Sequence, residues 1–97
     1  MKKLRTQTAS DIIRDGLGAE LIDENGNVIS EIFRCDSSHS VVVNTFNNDI
    51  ELNIMNNFIT YAMERLEPFE DGTPLINAEN SSEIENTSPT MPLEPIR

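Results

Sequence analysis

Val28–Phe46 reads VISEIFRCDSSHSVVVNTF. Two runs rich in β-branched and aromatic residues, Val28–Cys35 and Ser40–Phe46, flank the polar turn-formers Asp36–His39, which is the sequence form of a β-hairpin. Ahead of it, Ala19–Ile22 is a short apolar run followed by Asp23-Glu24-Asn25-Gly26-Asn27. Asn-Gly between apolar runs is a strong hairpin signal, so 19–22 joins the sheet as a third strand. The expectation is an antiparallel three-stranded meander, 19–22, 28–35 and 40–46.

Alternation in 28–35 is imperfect, with Val28 and Ile32 on one face and Ile29 and Phe33 on the other. A strand apolar on both sides needs cover on each face or an oligomer contact. Further on, Leu52, Met55, Ile59, Ala62 and Leu66 recur at helical spacing and predict a packing helix over about 53–66. Asp49 or Asn53 would cap that helix and Pro68 would close it, with Phe69 folding back to seal the core. Toward the start, Ser10 and Asp11 suit a helix N-terminus and Gly16 or Gly18 a left-handed stop, so a short helix is expected over roughly 10–16. The fold class read from these elements is α+β.

Composition divides the chain. Of residues 1–69, 29 are apolar, against 7 of residues 70–97. The first part can build a small core and the second cannot offset its ordering entropy. The organisation expected is a flexible 1–8, a single α+β domain over 9–76, and a disordered, acidic, proline-containing tail over 77–97. A core this small gains from self-association, which makes a homodimer an expectation.

The net charge of −10 repels phosphate backbones, so no nucleic acid is expected as a partner. No run is long enough for a membrane span, and the basic start MKKLR lacks the apolar segment of a signal peptide. The expected location is therefore cytoplasmic. Cys35 is the single cysteine, which excludes an internal disulfide and a cysteine-based zinc cage.

Cys35, Asp36, Ser37, Ser38 and His39 gather reactive groups in one loop. A Cys–His pair there would be an activated thiolate, but a three-stranded sheet offers little enclosed volume for substrate. The bland reading is that the polar side chains satisfy turn amides. Asp23–Asn27 lacks the spaced ligands of a calcium loop, and Asp15-Gly16-Leu17-Gly18 lacks the strand and basic helix start of a phosphate loop. No catalytic residue, cofactor or metal is expected.

What remains is a non-enzymatic protein-interaction module of inhibitor, immunity or adaptor type, whose acidity suits a basic protein partner. The residues that would widen the apolar helix face or the two-sided strand are Phe58, Tyr61, Met63, Ile29 and Phe33, and these are the candidate interaction surface. Two alternatives stand beside it. One is a homo-oligomeric structural subunit; the other is a small enzyme or metal-binding protein using Cys35 and His39.

Overall fold

A computed structural model describes residues 3–76. Within them lie four strands and one helix: β1 (Arg5–Asp11), β2 (Gly16–Ile22), β3 (Val28–Cys35), β4 (Ser40–Asn44) and α1 (Leu52–Leu66). The strands form an antiparallel sheet in the order β1-β2-β3-β4, and α1 lies across β2 and β3 on one face. The α+β class holds, but the meander has four strands where three were expected.

The extra strand takes the place of the expected N-terminal helix. Arg5–Asp11 pairs with Gly16–Ile22 in unbroken register, so Arg5–Thr8, half of the segment expected to be flexible, lies in the sheet. Asp11 does not cap a helix; its Oδ1 accepts the Arg14 amide at 3.0 Å, closing a turn whose last residue, Asp15, has φ 57°. Two helical turns with Ile12 and Ile13 as their apolar stripe would need a surface to pack on. Here both isoleucines stand at the turn with 93% and 96% of their surface exposed.

The turn after β2 follows the sequence expectation. The Asp23 carboxylate accepts the amides of Asn25 and Asn27, and Gly26 takes φ 87°, a conformation glycine adopts without penalty. Between β2 and β3 the register slips at Leu21/Ile22, with Leu21 opposite Ser30 and Ile22 opposite Val28. Ile29 is the extra residue of this bulge, which re-aims the side chains that follow and accounts for the imperfect alternation seen in sequence.

On the helix-covered face Ala19, Leu21 and Ile32 meet Phe58, Ala62 and Leu66. The helix starts one residue before its expected position and ends where expected. Neither Asp49 nor Asn53 caps it: the N-cap is Glu51, which makes no side-chain cap bond. Phe69 is 4% exposed and folds back as expected, after a cis Glu67–Pro68 bond. The tail expected over 77–97 lies outside the described residues.

Phe33 lies on the face without a helix, yet is only 6% exposed. Its cover is Arg14, whose guanidinium carbon sits 3.9 Å from the ring centroid. Arg14 also makes a two-pronged contact to Glu31, at 3.0 and 2.8 Å, and reaches Asp11 at 2.6 Å. Beneath the ring, Gly16 and Gly18 leave the room: a Cβ on Gly18 would come within 3.3 Å of the Phe33 ring and one on Gly16 within 2.7 Å. Two glycines and one arginine thus replace a second layer.

Candidate interaction surface

Residues of the reactive loop expected from sequence turn to different partners. Cys35 ends β3, and its thiol donates to the Arg14 carbonyl at 3.3 Å and lies 3.4 Å from Ser37 Oγ. Hydrogen bonds from Ser37 and then Ser38 hold the thiol below its ordinary value. His39 takes φ 59°, stacks on Phe69 with ring centroids 4.0 Å apart, and meets the Asp71 carboxylate at 3.2 Å. No hydrogen bond joins Cys35 to His39, so the thiolate–imidazole pair of the enzyme reading is not assembled in this geometry.

Asp36 and Arg34 act as a joint. Arg34 Nη2 meets Asp36 Oδ2 at 3.1 Å, while Nη1 donates to the carbonyls of Leu66 and Pro68. The other Asp36 oxygen accepts the Glu70 amide at 2.9 Å. These bonds satisfy carbonyls at the helix C-terminus and lock the 67–73 loop against the β3–β4 turn. Their partners are internal, and the geometry is that of a structural clamp. Among the described residues no three His, Cys, Asp or Glu side chains are placed to hold a metal ion.

The five candidate surface residues separate in the same way. Phe58 is 2% exposed and belongs to the core, and Phe33 lies under Arg14, so neither offers surface to a partner. Ile29 and Tyr61 are half-buried against the core cluster, Tyr61 with the Arg65 guanidinium 4.9 Å from its ring centroid. Met63 alone of the five lines an apolar groove, about 470 Å³ in volume, between α1 and β4.

That groove exists because the helix covers β2 and β3 and stops short of β4. Its floor is Ile32, Val41 and Val43, and its wall on the helix side is Ile59 and Met63. Beyond the floor lies the outer edge of β4, which no other strand among the described residues covers. Among the described residues β4 pairs with β3 alone, and the backbone of Val41–Val43 bonds to nothing outside that ladder. Val42 and Val43 are 56% and 48% exposed. In an antiparallel ladder the outer edge presents a row of unpaired N–H and C=O groups.

Sequence reasoning expects at least one sheet edge open for pairing but does not say which strand supplies it. The available signal was composition: Ser37–Asn48 contains no Asp, Glu, Lys or Arg in a chain that is 25% charged. Edge strands are ordinarily blunted by charge, proline or a bulge, and β4 has none of these.

No family model, curated protein or solved structure matches this chain. The functional reading therefore stands on its own geometry. Among the described residues no helix is long and apolar enough to cross a membrane.

Proposed function

We propose that this protein is a non-enzymatic protein-interaction module that binds through the β4 edge and the adjoining groove. The observation that carries the reading is the uncharged β4, unpaired on its outer side among the described residues, beside an apolar trough walled by Ile59 and Met63. Such an edge recognises an extended segment by main-chain hydrogen bonds, with alternate side chains entering the groove. The enzyme reading has less support, because His39 is engaged by Phe69 and Asp71. The net charge of −10 disfavours nucleic acid as the partner. A cytoplasmic location accords with the single unpaired thiol.

The test is affinity capture from the source cell with the full chain, with Val42→Lys on the proposed edge, and with Thr8→Lys on the opposite edge. The reading expects proteins held by the wild type and by Thr8→Lys that are lost with Val42→Lys. Capture that is indifferent to Val42 contradicts it.

A further inference from the structure

Two copies of this chain can satisfy each other at β4, and we infer that the occupant of that edge is a second copy, paired antiparallel about a two-fold axis at Val42. The inference rests on the reading of β4 as the contact surface and names its partner. An isologous contact requires a patch complementary to itself. β4 is such a patch. With Val42 at the axis, Val41 of one copy faces Val43 of the other, and Ser40 faces Asn44, so like-sized β-branched side chains and small polar ones meet in pairs.

Charge selects the same surface. Two chains of net charge −10 repel, and the approach least opposed is the one that brings no acids together. The uncharged run Ser37–Asn48 contains the whole of β4 and both of its ends. The other free edge is unlike it. β1 has Ala9 as its single apolar side chain, carries Arg5 and Asp11, and has Asp11 already bound to Arg14. Pairing there buries polar side chains and gains little apolar contact.

The geometry of the groove adds a second gain. A two-fold axis perpendicular to the sheet keeps both helices on one face of a sheet twice the four-stranded width. The two grooves then merge into one trough, floored by Val41 and Val43 of each copy and walled by Ile59 and Met63. Val43 and Ile59, exposed by 48% and 39% in one chain, gain cover there, and Val42 gains it on the opposite face. A head-to-tail contact of β4 with β1 does not close and would produce filaments.

Sedimentation equilibrium of the full chain tests the inference, with a cysteine trap as a second readout. The wild type is expected to be a discrete dimer, and Val42→Lys, which sets two ammonium groups face to face, to weaken it at least tenfold. Val42 is more than half exposed, so its substitution leaves the monomer fold intact, as a far-UV melt will show. In a Cys35→Ser background, Val42→Cys is expected to form an interchain disulfide on mild oxidation, because facing Cα atoms of an antiparallel pair lie about 4.5–5.5 Å apart, within the span a disulfide bridges. Thr8→Cys in the same background is expected to stay unlinked. A wild type monomeric at every concentration, an open polymer, or a trap that works at Thr8 and not at Val42 overturns the self-pairing. If that monomer still captures other proteins in a Val42-dependent way, the interaction-module reading survives; if it does not, both fall.

Discussion

Arg34 donates from Nη1 to the main-chain carbonyl of Leu66 at 2.6 Å, so a side chain of the third strand closes the last turn of the helix. The same guanidinium is held by Asp36, and Arg34 and Asp36 side chains are only 13% and 7% exposed. Removing one member leaves a shielded charge and orphaned carbonyls, a loss of about 3 kcal/mol or more. Arg34→Met and Asp36→Ala are each expected to lower the urea midpoint strongly. The double variant should lose less than the sum of the two, since both act on one joint. Additive losses would show that the joint is not a unit.

Gly16 is expected to tolerate nothing larger. A Cβ there would fall on the Arg34 carbonyl oxygen, which is ladder backbone and has nowhere to go. At Gly18 the nearest atom is Glu31 Oε2, at 2.9 Å, the end of a side chain that can shift. Gly16→Ala should therefore cost about 2 kcal/mol or more, and Gly18→Ala clearly less. Equal effects in chemical denaturation would contradict the close approach of β2 to β3.

Phe58 and Met63 separate core from surface. Phe58, at 2% exposure beside Ala62 and Leu66, is expected to cost about 3–5 kcal/mol on truncation to Ala, enough to unfold so small a domain. Met63→Ala should cost under about 1 kcal/mol in stability, as its side chain lines an open groove. Its effect should appear in association instead. A Met63→Ala variant as unstable as Phe58→Ala would mean that the groove is closed in solution.

Acid stability carries the signature of the 67–73 loop. Asp71 accepts the Thr73 amide at 3.0 Å and meets His39, and bonding to Thr73 first, then His39, holds its carboxyl down at about 2 against an ordinary 3.8. A depressed carboxylate stabilises the fold above its unfolded value, and that contribution is lost as pH falls toward the folded one. The difference in urea midpoint between wild type and Asp71→Asn is thus expected to be full at pH 5 and to shrink between about pH 4 and pH 2. A difference that is constant across that range would remove Asp71 from the acid limb.

Much of the fold was legible because its local signals agree. The polar breaks at Asp23–Asn27 and Asp36–His39 each point one way, the helical period from Leu52 to Leu66 outweighs the strand-like alternation of Ile50, Leu52 and Ile54, and the structure has those elements within a few residues. The N-terminal segment was not legible. Ser10-Asp11 followed by two isoleucines carries the same pattern as a helix start, and the pairing of Arg5–Asp11 with Gly16–Ile22 is decided by a neighbour, not by local preference. The two-sided strand 28–35 had a third solution that no periodicity reveals: an arginine from a distant turn lying on Phe33. For the surface, apolar residues were found but not their depth. Phe58 and Phe33 are the larger side chains and went inside, leaving the smaller Val42, Val43 and Met63 at the edge and the groove.

The central claim is that β4, and not β1, is the edge that another chain covers. Hydrogen exchange of the backbone amides of Val41–Val43, followed against those of Gln7–Ala9 over a wide range of protein concentration, addresses it directly. The β4 amides that face outward from the β3 ladder are expected to slow as concentration rises, while those of β1 keep one rate throughout. Outward β4 amides that exchange as freely as β1 at every concentration, and that stay free when a captured partner is added, would contradict the account.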